Sequence, residues 1–204
     1  MKKLNLGKMT RLAILAAILL LMAFTPLGYL RIGPMSMTLL MIPVAVGAIV
    51  LGPGAGLFLG TLFGLTSLVQ CFGMDPGGTY MMTVNPFGMT FLALVPRMLM
   101  GFLCGLIFKA FDKPGMTALR TTGAFVASLS SAVLNTVLFM STLTLFFLHT
   151  PDVFPLTDDF SFGTVIAVIV AMVGVQGLIE AGITTVVGGA VSTALFRFDK
   201  GVRK

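Results

Sequence analysis

The sequence predicts an all-α membrane protein: six transmembrane helices in one bundle, with the N- and C-termini cytoplasmic. Three observations predict it. Hydrophobic residues make up 57% of the 204 residues and charged residues only 10%, against roughly 25% charged in soluble domains. The apolar runs are about 20 residues long, enough for a helix to cross about 30 Å of hydrocarbon, and lack the period-two alternation of barrel strands. The basic residues segregate to alternate connections, as the positive-inside rule requires.

That segregation also accounts for the net charge of +6 without a nucleic-acid partner. Eleven of the thirteen basic residues fall in three groups: Lys2, Lys3, Lys8 and Arg11; Lys109, Lys113 and Arg120; and Arg197, Lys200, Arg203 and Lys204. With these groups facing the cytoplasm, the opposite connections carry Asp75, Asp152, Asp158 and Asp159. One transmembrane domain, residues 1–204, uses the whole chain. The opening Met-Lys-Lys and apolar run imitate a signal peptide. The run continues without a small-x-small cleavage pattern, however, and reads as a retained first span. Cys71 and Cys104 fall near opposite membrane faces and read as packing residues rather than a disulfide.

The first span covers about residues 9–24, followed by an outer connection over 25–37. The second, about 38–51, is short and ends at "GPGAG" (52–56), a turn marked by its glycines and proline. The third covers about 55–71. The outer connection "FGMDPGGTYMMTVNPFG" (72–88) is long, and long ordered loops tend to be functional. The fourth span is about 90–111, the fifth about 121–148 and the sixth about 163–196, with connections at 109–120 and 149–162. The last two exceed about 20 residues, so they tilt, protrude or break. Gly52, Gly56, Gly60 and Gly64 form a small-xxx-small series that lets a neighbouring backbone come close. No internal repeat supports a transporter of inverted halves.

Polar residues inside spans are informative because a central charge costs about 2.5–3.5 kcal/mol to insert. Counted at about 1.5 Å per residue from the nearest cytoplasmic basic residue, Arg97 lies roughly 18 Å deep, Asn135 roughly 22 Å, Glu180 roughly 26 Å and Gln176 roughly 31 Å. Three helices thus place polar groups in the outer half of the membrane. Gln176 and Glu180 share a helix face, and Ser128, Ser131, Asn135 and Thr142 form a stripe on the fifth span. A guanidinium suits a carboxylate, while amides and hydroxyls suit other hydroxyls and amides. The implied ligand is small, polar and acidic. Against this stands an internal Arg97/Glu180 ion pair in a membrane scaffold without ligand, and Asn135 or Gln176 taken singly fits an interhelical hydrogen bond as well.

Absent motifs narrow the class further. There is no phosphate-binding G-x-x-x-x-G-K-[ST] loop, no zinc-ligand set and no Ser/His pair at membrane depth. A binder is expected rather than an enzyme, with no metal and no cofactor.

The segment 37–69, with T-x4-P-V-x-x-G-A-x-x-L-G-P-x-x-G (Thr38, Pro43 to Ala48, Leu51 to Gly56) and G-x-x-F-G-L-T-S (Gly60 to Ser67), resembles the S components of energy-coupling factor (ECF) vitamin transporters. "LVPRMLMG" (94–101), "SSAVLNTV" (130–137) and "QGLIEAGI" (176–183) extend the likeness over nearly the whole chain, closest to the pantothenate branch. The resemblance implies a prokaryotic, multi-pass plasma-membrane subunit that binds one vitamin near the outer face. It implies as partners a transmembrane coupling subunit, met by Ala13 and Ala17, and two cytoplasmic ATPases. Loops at 25–37 and 72–88 would form the lid. For pantothenate, Arg97 would hold the carboxylate, and Asn135 and Gln176 the amide and hydroxyls, with Asn85 and Tyr80 adding contacts from the long loop. Glu180 would orient Arg97 or accept a hydroxyl proton, or else point to a donor-rich vitamin. Riboflavin, folate or a pyridoxine-like compound is the alternative within the same family.

Overall fold

A computed structural model describes residues 6–26, 28–31, 36–113, 116–150, 153 and 162–202. Lys2, Lys3, Arg203 and Lys204, and the acidic residues Asp152, Asp158 and Asp159, lie outside them. The chain order is α1 (Leu6–Ala23), β1 (Tyr29–Arg31), β2 (Ser36–Thr38), α2 (Met41–Leu51), α3 (Pro53–Gln70), α4 (Pro76–Val84), α5 (Pro86–Phe111), α6 (Thr117–Phe147) and α7 (Phe162–Val202). Among the described residues, five helices are long and apolar enough to cross a membrane: α1, α3, α5, α6 and the Val173–Phe196 part of α7. The remaining apolar helix, α2, has 11 residues, which spans only about 16 Å.

Helix α2 is apolar on all sides, and its residues Met41 and Pro43 to Ile49 are buried. A helix with no polar face belongs inside the bundle, and α2 is packed by α1, α3, α5, α6 and α7. It ends at Gly52, whose φ of 103° is one that L side chains resist. Pro53 then starts α3, where its missing N–H has no helical partner to lose.

The glycine series runs down the face of α3 that meets α5 in antiparallel fashion. A methyl at Gly56 would overlap the Gly101 carbonyl oxygen, one at Gly60 would overlap that of Arg97, and one at Gly64 would stand 2.8 Å from that of Ala93. The two backbones are therefore in direct contact, as the spacing predicts.

The core is three stacked apolar clusters. At the end bearing α4 lie Cys71, Met89, Leu92, Met140, Leu143 and Phe147. The middle holds Leu19, Leu40, Met41, Val44, Leu59, Phe63, Met100 and Ala132. At the basic end lie Ala45, Ile49, Cys104, Phe108, Ala124 and Phe196. Cys71 and Cys104 are thus buried packing residues at opposite ends. The basic end closes where Arg120 lies 4.0 Å over the Phe196 ring and 3.0 Å from Asp112 Oδ1.

Several expectations are corrected. The all-α class stands, but the first long connection contains a short antiparallel hairpin, Tyr29 opposite Thr38 and Arg31 opposite Ser36, and α2 begins after Thr38, at Met41. The long loop at 72–88 contains α4. Asp75 caps α4 by accepting from the Gly78 N–H at 3.0 Å, and Asn85 caps α5 by accepting from the Gly88 N–H at 2.9 Å. Each cap is followed by proline at the first helical position, a legible start signal. Of the three alternatives left open for the last two spans, breaking is the one removed: α6, with 31 residues, and α7, with 41, run unbroken.

Candidate functional site: a polar layer between two apolar clusters

Arg97, Asn135, Gln176 and Glu180 occupy one level of the bundle. On α5, Arg97 falls between Leu92 of the α4-end cluster and Met100 of the middle cluster; on α6, Asn135 falls between Met140 and Ala132 of the same two clusters. On α7, Gln176 and Glu180 fall between Val173, packed on the former cluster, and Ala181, packed on the latter. Arg97 is 8% exposed and Asn135 and Glu180 each 7%, while Gln176 is half-buried. Charged groups are seldom buried so deeply without partners, and the partners define what the layer can do.

The Arg97 guanidinium lies 4.8 Å from the Phe139 ring centroid and 5.5 Å from that of Phe63, both within cation–π reach. Its Nη1 donates to the Leu92 carbonyl oxygen. That acceptor exists because Pro96, inside α5, has no N–H to give the carbonyl four residues before it. Helical side chains lean toward the N-terminus, which brings Arg97 back over this turn.

Glu180 Oε1 accepts from the Thr38 backbone N–H at 2.7 Å, joining α7 to the base of the hairpin. The Gln176 side chain, one turn away on the same face, also hydrogen-bonds the Glu180 carboxylate, and Arg97 acts on that carboxylate electrostatically. The Asn135 Oδ1 is buried with no hydrogen-bond partner among the described residues. A buried acceptor in that state carries a penalty of about 1–3 kcal/mol, which a hydroxyl or amide donor would relieve.

Of the remaining predicted residues, Asn85 sits between α4 and α5 with its side-chain oxygen engaged in capping. Tyr80 is 39% exposed on α4. Thr142 bonds the Leu138 carbonyl of its own helix at 2.8 Å, and Ser131 bonds that of Ser128, also at 2.8 Å, so these hydroxyls serve α6 itself. Ala13 and Ala17 are both exposed on α1, whose burial is confined to Leu19 and Ala23. Among the described residues, no group of three His, Cys, Asp or Glu side chains could hold a metal.

Sequence reasoning missed Thr38, Phe63, Phe139 and the Leu92 carbonyl. Phe139 was findable, since it lies one turn from Asn135 on the same face. The Thr38 N–H and Leu92 carbonyl were not, because every residue carries such groups and only the fold selects among them.

The chain matches the family model described as "ECF transporter, substrate-specific component" over residues 7–190. It is 32% identical over 126 residues to the pantothenate transporter PanT of Leuconostoc mesenteroides subsp. mesenteroides, an alignment covering 59% of this chain and 60% of that one. It is 29% identical over 159 residues to the pantothenic acid transporter PanT of Lactococcus lactis subsp. cremoris, covering 72% of this chain and 77% of that one. The match thus spans less than two thirds of the first relative and more than two thirds of the second. With an apolar helical bundle matched over most of its length, the chain belongs to the family of ECF transporter substrate-specific components and is a multi-pass protein of the prokaryotic plasma membrane.

Proposed function

We propose that this protein is the pantothenate-binding subunit of an ECF-type importer, taking its ligand near the extracellular face and delivering it inward. The observation that carries the reading is a buried guanidinium within cation–π reach of two aromatic rings, in the same layer as an unsatisfied amide oxygen. Pantothenate offers a carboxylate for Arg97 and hydroxyl and amide donors for Asn135 and Gln176. The names of both relatives support that vitamin. Glu180 helps by fastening the hairpin over the layer through Thr38, and Asn85 and Tyr80 complete the cover from the α4 end.

In this reading there are six crossings, the second completed by α2 together with the hairpin that leads into it, with both termini cytoplasmic and the α4 end outside. Transport requires partners: a transmembrane coupling subunit, met by the exposed face of α1 at Ala13 and Ala17, and two cytoplasmic ATPases. The other reading, a membrane scaffold with an internal Arg97/Glu180 pair, predicts no saturable ligand and no loss of binding in Arg97→Ala.

The test is calorimetric titration of purified protein with pantothenate, beside mass spectrometry of co-purified small molecules. Saturable binding that Arg97→Ala weakens at least tenfold is expected, as for loss of a hydrogen bond to a charged group worth about 1.5–3 kcal/mol. Equal affinity in both proteins, or a different co-purified vitamin, overturns the assignment.

A further inference from the structure

We propose that Pro96 is a positioning residue for ligand recognition: by withholding a backbone N–H, it leaves the Leu92 carbonyl to hold the Arg97 guanidinium ready for the ligand's carboxylate. The inference rests on the reading of Arg97 as carboxylate anchor.

Three observations converge on it. Pro96 lies inside α5, and the helix continues through it from Pro86 to Phe111, so the proline does not serve to end or break the element. In an ordinary helix the N–H of residue 96 would bond the Leu92 carbonyl; here that oxygen receives Arg97 Nη1 instead. The guanidinium is then bounded by the Leu92 carbonyl and by the rings of Phe63 and Phe139. The adjacent backbone is also held, because the Arg97 carbonyl abuts Gly60 with no room for a methyl. A guanidinium has five donors in a fixed plane. Anchoring one of them orients the others before the ligand arrives, and such preorganisation raises affinity by removing an ordering cost from binding. An alanine at 96 would restore an N–H that competes for the Leu92 oxygen and frees the side chain to wander.

The experiment compares binding of pantothenate with that of its alcohol analogue, in which CH2OH replaces the carboxylate, to purified full-length protein. In Pro96→Ala, pantothenate affinity should fall about tenfold, on the scale of one charge-assisted hydrogen bond, while affinity for the alcohol is unchanged. A general disturbance of the fold would weaken both ligands alike and would overturn the proposal. Wild-type discrimination in Pro96→Ala would also overturn it, and would leave the carboxylate role of Arg97 intact provided Arg97→Ala abolishes the preference for the acid. If Arg97→Ala keeps that preference, the functional reading fails and takes this one with it. A final arm places the α-hydroxy analogue of alanine at 96, which lacks both ring and N–H. Retained preference for the acid supports the missing donor as the cause; loss equal to that of Pro96→Ala assigns the effect to the ring and overturns the proposal.

Discussion

The α3–α5 and α6–α7 contacts are both antiparallel and both rich in glycine, yet they are built differently. Between α3 and α5, glycines face backbone: Gly56 meets the Gly101 carbonyl and Gly60 that of Arg97. Between α6 and α7, glycines face side chains: a methyl at Gly188 would stand 2.9 Å from Ser128 Oγ, and one at Gly189 would overlap the Phe125 ring. Ser128, Thr184 and Ser192, all fully buried, keep hydroxyls with no hydrogen-bond partner among the described residues. A backbone cannot rotate out of the way, whereas side chains can. The first contact fixes the helix that carries Arg97, and the second leaves adaptable groups on the helices that carry Asn135 and Glu180.

The largest expected effect would break the rigid contact. Gly60→Leu should prevent recovery of folded protein. Gly60→Ala should cost about 1–3 kcal/mol, as overpacking does, read as a lowered Tm in detergent. On α7, Gly182 has open space around its Cα. Gly182→Ala should be neutral or stabilise by up to about 1 kcal/mol, the helix-propensity gain. Equal Tm values for Gly60→Ala and Gly182→Ala would show that Gly60 is not held against the α5 backbone.

Next in size is the link between α7 and the hairpin. Glu180→Ala removes the acceptor of the Thr38 N–H and should cost about 1.5–3 kcal/mol, with faster limited proteolysis near residues 28–40. Glu180→Gln keeps an oxygen acceptor and should lose less. An Ala variant as protease-resistant as the wild type would detach the hairpin from α7.

Asn135→Leu should move two measurements in opposite directions. Removing an unsatisfied buried acceptor should raise the Tm of ligand-free protein by the equivalent of up to about 1 kcal/mol, while pantothenate binding weakens. A lowered Tm without ligand would mean that the amide is already satisfied by water. The smallest effects belong to the lone hydroxyls. Ser128→Ala and Thr184→Val should change stability by under about 1 kcal/mol; a loss above about 2 kcal/mol in either would show ordered water bonded there.

Parts of this were open to reading in the chain itself. The glycine spacing foretold the α3–α5 contact because small residues at every fourth position have one main use within a membrane. The cost of immersing charge singled out Arg97 and Glu180. The caps of α4 and α5 were written as Asp75-Pro76 and Asn85-Pro86 but hidden within a stretch that reads as loop by its glycines. The hairpin was missed because three-residue strands carry too few positions to show a period.

The sequence by itself determined which groups are expensive to bury and at what depth, since hydrophobicity and helical rise are local properties that add along the chain. Only the tertiary structure decided what satisfies them. Glu180 meets the Thr38 backbone 142 positions away, and Arg97 meets a carbonyl that Pro96 left free. Hydrogen bonds need a partner at about 3 Å in the right direction, and which of many identical backbone groups arrives there is settled by packing alone.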